Sequence, residues 1–186
     1  MINLDIRIYK SKKSIYDAFI ELRSKKELRK ITVRELCETA MINKSTFYSY
    51  YEDIFDLEDK IESEVVESIV NSIHHPENMI DDPAQFYQDL LAAMTENHSI
   101  INTLFSGVQH PNLVEKISKS LNSVFFSFHP QLEQNRKFCI MLDYAIYGGY
   151  YAFEENRTNS NPEELTSTIA NITEHMSKLM RSAPVI

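Results

Sequence analysis

An all-α fold is predicted by three features of this 186-residue sequence. Only 3 glycines are present, and neither Gly nor Pro occurs before Pro76. No run of alternating apolar and polar residues is bounded by turn dipeptides, so strands have no signature. Apolar residues instead recur at three- and four-residue steps, the spacing that lines one face of a helix.

Each element follows from that spacing and its punctuation. Ile15, Ala18, Phe19 and Leu22 form one stripe of a first helix over about 12–25. Thr32 and Glu35 form an S/T-x-x-E capping box, and Val33, Leu36, Cys37 and Ala40 continue it as a short second helix. Asn43 is placed to cap a third helix over 44–51, and a longer fourth helix follows over about 54–73. Asp82-Pro83 reads as N-cap and first helical residue for a helix to about 96, and Asn161-Pro162 followed by Glu163 and Glu164 opens the last one in the same way. His110-Pro111 and His129-Pro130 separate two more. About nine helices result, with no internal repeat and no low-complexity linker.

Composition narrows the function. A hydrophobic share of 43% is enough to bury a core, which excludes a disordered or fibrous chain. Cys37 and Cys139 stand about a hundred positions apart among apolar neighbours and make neither a disulfide framework nor a zinc cluster. The N-terminus lacks an apolar signal segment, and the longest apolar stretch, 138–153, is too short and is interrupted by Asp143, so no membrane span is expected. A cytoplasmic location fits these features. The six histidines form no H-x-x-x-H or H-E-x-x-H spacing, and neither G-x-x-x-x-G-K-[ST] nor G-x-S-x-G occurs. No enzyme, cofactor or metal is therefore expected. His74 and His75, just before Pro76, read as helix C-terminal residues.

The net charge of -8 speaks against a phosphate-backbone partner until it is divided. Residues 1–51 hold 11 Lys/Arg and 6 Asp/Glu, a balance of +5, and the other 135 hold 8 and 21, a balance of -13. A basic head that meets something anionic on an acidic body that does not is one reading, and a lysine-rich solvated surface is the other.

Residues 31–51, ITVRELCETAMINKSTFYSYY, carry the chemistry. A capped helix of seven or eight residues, a turn of about three and a second short helix have the spacing of a helix-turn-helix, whose second helix enters the major groove. On a helical wheel from Lys44, Phe47 and Tyr51 fall on one side to pack against Leu36 and Ala40. Ser45, Thr46 and Ser49 fall opposite, with Tyr48 and Tyr50 on the flanks. Small hydroxylated residues can approach base edges closely, and Lys44, Tyr48 and Tyr50 can reach guanine, thymine methyls or phosphate oxygens. An ordinary αα hairpin has much of the same pattern.

The runs I31-T32-V33-R34-E35-L36 and I42-N43-K44-S45-T46-F47-Y48-S49-Y50-Y51 closely resemble the DNA-binding domain of the tetracycline-repressor (TetR) family of bacterial transcriptional regulators. Thr46-Phe47-Tyr48 and the closing Tyr51 make the likeness specific over about 50 residues. The rest matches in length and helix plan, with a weaker likeness near Tyr147-Gly148-Gly149-Tyr150 to the C-terminal domain common in Firmicutes members. The resemblance implies a reading head over 1–53, a helical ligand-binding and dimerising body over 54–186, and a homodimer on a palindromic double-stranded DNA operator, released by a small-molecule effector. It implies that Thr32 and Arg34 hold phosphate, that Lys44, Ser45, Tyr48 and Ser49 face bases, and that Thr46 and Tyr50 contact backbone. Two residues depart from the family pattern. Met41 replaces the usual glycine that ends helix 2, and Ile54 replaces a phosphate-binding lysine at the start of helix 4, which shifts the burden to Lys10, Lys12, Lys13 and Lys44. A co-regulator of the same fold acting through a protein partner is the alternative, mildly favoured by Ile54.

In the body, residues 138–153 are apolar nearly all round, with Ala145, Gly148, Gly149 and Ala152 allowing close backbone approach. Leu165, Ile169, Ile172, Met176 and Leu179 step by four and three, the spacing of a seam against a partner helix. The two segments are expected to build a four-helix dimer interface. Nine of the 20 aromatics lie between Phe125 and Phe153. Met141, Asp143, Tyr144 and Tyr147 are candidate contacts in an aromatic-lined ligand pocket, with ordinary core packing as the alternative.

Overall fold

The computed structural model describes residues 2–105 and 110–181, with the side chains of 2–5, 110, 111 and 181 left aside. Among these residues there are nine α-helices and no strand: α1 (Ile2–Arg23), α2 (Val33–Thr39), α3 (Lys44–Tyr48), α4 (Ile54–Asn71), α5 (Pro83–Glu96), α6 (His98–Leu104), α7 (His110–Phe128), α8 (Arg136–Asn156) and α9 (Pro162–Arg181). Short 3-10 turns lie at Leu28–Lys30, Pro76–Met79 and Pro130–Leu132.

The chain divides into two compact units, Met1–Val65 with Ser99–Gln109, and Val66–His98 with His110–Ile186. The first unit thus keeps the first three turns of α4, where Ile54, Leu57 and Ile61 are buried, together with α6. The sequence places the division at 53/54, where the helix-turn-helix ends, but it cannot show which turns of a long helix the head buries.

In the first unit the expected stripe of Ile15, Ala18, Phe19 and Leu22 is buried, as are Leu36, Cys37, Ala40, Phe47 and Tyr51. Burial raises the Cys37 thiol above its ordinary range, as befits a core residue. Helix α1 starts at Ile2, well before the expected start near 12, since no Gly or Pro interrupts Ile2–Arg23. At its end, Arg23 is buried and fully engaged. Its Nε donates to Glu58 Oε1 at 2.9 Å, Nη1 to the Lys26 carbonyl at 3.3 Å and Nη2 to the Leu104 carbonyl at 3.2 Å. One guanidinium therefore ties α1 to α4 and to the end of α6.

The capping box is half formed. Thr32 Oγ1 accepts from the Glu35 amide at 3.3 Å, but the Glu35 carboxylate turns away to the Lys26 ammonium. A charged partner outbids the Thr32 N–H for that carboxylate.

In the second unit, α5 and α8 both pack on α9, and α7 packs on α8. Phe125 of α7 stacks on Phe138 of α8 with ring centroids 5.6 Å apart and on His129 at 4.5 Å. Tyr87, Leu165 and Ile169 form a further buried cluster, flanked by Leu91, Ala152 and Phe153. The expected caps are present: Asp82 accepts from the Gln85 amide, and Asn161 accepts from the amides of Glu163 and Glu164. The histidines at 74 and 75 lie beyond α4, which ends at Asn71. His75 instead takes a left-handed conformation (φ 55°) ahead of the Pro76 turn.

Candidate nucleic-acid interface

The turn between α2 and α3 is built on Met41. The Ile42 amide donates to the Cys37 carbonyl at 3.0 Å, and the Met41 amide to the Glu38 carbonyl at 3.3 Å. Those two bonds are the Schellman pattern, which needs a left-handed residue where Met41 sits. Met41 takes φ 53°, and 93% of its surface is exposed. The bulky residue therefore makes the glycine turn itself, with its side chain in solvent and a steric penalty of about 1–2 kcal/mol.

Helix α3 is shorter than the 44–51 expected from the wheel, because the amides of Tyr50 and Tyr51 both turn back to the Phe47 carbonyl at 3.0 Å. Asn43 occupies its N-cap with extended backbone, but the side chain makes no capping bond, so only its carbonyl serves the helix. Phe47 is the anchor, 0% exposed, meeting Tyr48 edge-on at 5.4 Å and Tyr51 at 5.6 Å. Burying that ring contributes about 2–3 kcal/mol and fixes which face of α3 looks outward.

The outward face carries Lys44, Ser45 and Ser49, all exposed, and Tyr48, 57% exposed. Thr46 and Tyr50 are half-buried at its edge. The Ser49 hydroxyl donates to the Thr46 carbonyl at 2.7 Å, which leaves its oxygen free to accept. Thr32 is exposed, and while its oxygen accepts the Glu35 amide its O–H can still donate. Exposed Arg34 is paired with Glu38 at 2.8 Å, one turn on. Solvent-exposed pairs of this kind contribute little, so the guanidinium can exchange Glu38 for a phosphate.

Ile54 is buried in the head, so its position cannot present a cation. Lys60, which sequence reasoning missed, comes closest to taking over that role. Its ammonium lies 3.3 Å from the Tyr50 carbonyl, 2.8 Å from Asp56 and 5.3 Å from the Tyr51 ring centre. Lys12 lies over the Tyr50 ring at 5.9 Å, bringing α1 to the same edge. The only sequence signal for Lys60 is its i,i+4 spacing from Asp56; that α4 carries it back to α3 is a tertiary fact.

The second unit places the expected ligand residues away from its apolar cavity. Asp143 and Tyr144 are exposed, the latter by 70%, and Met141 and Tyr147 are half-buried. None of the four lines the apolar cavity of this unit, whose α8 wall is Leu142, Ala145, Ile146, Gly149, Tyr150 and Phe153. The two sets lie on different faces of the same helix, and α5, α7 and α9 pack on the second. The residues expected at a dimer seam divide similarly. Leu165, Ile169 and Ala152 are spent on the Tyr87 cluster, and Ala145 and Gly149 face the cavity. Gly148 and Ile172 are exposed and Met176 is half-buried.

Among the described residues no cluster of His, Cys, Asp and Glu could hold a metal, and no helix is long and apolar enough to cross a membrane. No protein-family model matches the chain, and a search of curated proteins finds no match.

Proposed function

We propose that this chain is a ligand-responsive DNA-binding transcriptional regulator of the TetR type, a repressor that binds a palindromic operator as a homodimer. The observation that carries the reading is the exposed face of α3. Lys44, Ser45, Tyr48 and Ser49 stand outward while Phe47 locks the helix from behind. A short helix with small hydroxyls, one ammonium and one phenol on its free side suits the floor of a major groove. Lys12 and Lys60 beside Tyr50, with exposed Thr32 and Arg34 of the preceding helix, would supply donors for phosphate. In a dimer, two such helices would enter successive major grooves about 34 Å apart. The acidic remainder repels phosphate and leaves the head to dock.

Support for the dimer comes from apolar side chains that the second unit leaves outside: Ile140, Tyr144 and Tyr151 on α8, and Ile172 and Leu179 on α9. Gly148 on the same helix as the first three has open space where a Cβ would stand. A second copy covering both helices would bury them.

The test is binding to DNA from upstream of the protein's own gene, measured across salt concentrations. Affinity is expected to fall with a log-log slope on the order of -5 or steeper, and a Lys44→Ala, Tyr48→Ala double variant should lose operator preference. Variant binding as tight as the parent's would refute the reading-head assignment. Failure of the parent to bind at low salt would favour the co-regulator that works through a protein partner.

A further inference from the structure

The second unit holds a partly open cavity of about 70 Å³ between α5, α7, α8, α9 and the turn at Pro76–Met79. That is several times the roughly 10–15 Å³ one water molecule needs. Its walls are mainly hydrocarbon: Phe86 and Leu90 of α5, Ile117 and Leu121 of α7, Ile146 and Phe153 of α8. Met79, Met94 and Met180 add flexible thioethers that repack around occupants of different outline. Among the described residues, no Asp, Glu, Lys, Arg or His lines it. An anion entering it would lose its water and gain no counter-charge, and a cation would meet only the Glu154 carboxylate, which acts on Tyr87 and Tyr150 from outside the lining.

Two of its hydroxyls are already used. Thr173 donates to the Ile169 carbonyl at 2.8 Å, and Ser177 to the Glu174 carbonyl at 2.9 Å. Tyr87 differs. It is only 8% exposed, and its hydroxyl oxygen is buried with no hydrogen-bond partner. Leu165 and Ile169 hold the ring in place. A phenylalanine would fill the same space without stranding a polar atom, so the hydroxyl works against the stability of the empty fold. Tyr87 lines the apolar cavity, and an occupant that pairs with its hydroxyl would account for a group that otherwise weakens the fold.

We propose that this cavity binds an uncharged, predominantly apolar small molecule bearing one hydrogen-bond acceptor, such as a carbonyl oxygen, to which the Tyr87 hydroxyl donates. That this molecule is the effector rests on the regulator reading above; its binding is measured without DNA.

The full-length chain is titrated in a calorimeter with four one-ring probes: toluene, acetophenone, benzoate and benzylammonium. Acetophenone is expected to bind about tenfold tighter than toluene, the gain of one hydrogen bond, and both at least about tenfold tighter than either ion. Tyr87→Phe should erase acetophenone's advantage, keep toluene within about twofold, and melt no lower than the parent. Ala145→Leu, which fills the cavity from α8, should abolish binding of both neutral probes. The proposal is overturned if acetophenone and toluene bind the parent equally, if Tyr87→Phe keeps the preference, if an ion binds tightest, or if no probe binds. Operator binding on the same preparation separates the two readings. A chain that binds DNA but no probe loses the cavity and keeps the regulator, and one that binds acetophenone but no DNA does the reverse.

Discussion

Replacing Arg23 with alanine removes a group that bonds Glu58, Lys26 and Leu104 at once. The side chains of Arg23 and Glu58 are each 5% exposed, so neither charge can turn to water when its partner is lost. Arg23→Ala leaves a buried carboxylate that has lost its ion pair, and frees the Lys26 and Leu104 carbonyls of their guanidinium donors. Breaking a buried pair from one side is expected to destabilise by about 3–5 kcal/mol, a large part of the roughly 5–15 kcal/mol that holds a domain together. Glu58→Leu, which leaves the cation buried, should fall in the same range. The double variant Arg23→Met, Glu58→Leu restores apolar volume with no stranded charge and should recover most of the loss. Urea unfolding of the parent, Arg23→Ala, Arg23→Met, Glu58→Leu and the double variant, read as ΔG from midpoint and slope, measures the coupling between the two sites, with Arg23→Met as the matching single. If either single change costs under about 1 kcal/mol, or if the double variant is as unstable as the sum of the singles, the pair does not act as a buried unit.

Met41→Gly should stabilise the fold by about 0.5–1 kcal/mol, because relief of the left-handed strain exceeds the added freedom of the unfolded chain; a lower melting temperature would contradict it. Lys60→Ala should weaken DNA binding evenly across sequences and lower the salt slope by about 1, whereas a change in base preference would place Lys60 elsewhere. Burial pushes the phenols of Tyr87 and Tyr150 well above 10, with the Glu154 carboxylate adding to it. A raised folded pKa favours the protonated form, so this contribution is intact below about pH 10 and is lost as pH climbs toward the folded value. Unfolding free energy should therefore decline above about pH 10, and less steeply in Tyr87→Phe, as followed by circular dichroism.

The apolar stripes of α1 and α2, the caps at Asp82 and Asn161, and the inward turn of Phe47 were legible because each depends on residues within about one helical turn of one another. Met41 was legible as an anomaly, and the backbone resolves it by bearing the strain. Lys60 was not, since nothing within α4 indicates that its ammonium returns to the Tyr50 carbonyl. Glu35 illustrates the same limit: the capping box is written in four residues, but Lys26, nine positions away, takes the carboxylate.

Sequence by itself determined that this protein is helical, where the helices opened by Thr32, Asp82 and Asn161 begin, and which residues of the third can face outward, since periodicity and capping are local physics. Tertiary structure decided what α8 does. That helix is apolar nearly all round, so its pattern names no inner face; α5, α7 and α9 pack on the side of Leu142, Ile146 and Phe153, leaving Asp143 and Tyr144 in solvent. Tyr87 became a candidate ligand group for the same reason, because a hydroxyl without a partner exists only once every neighbour has been placed.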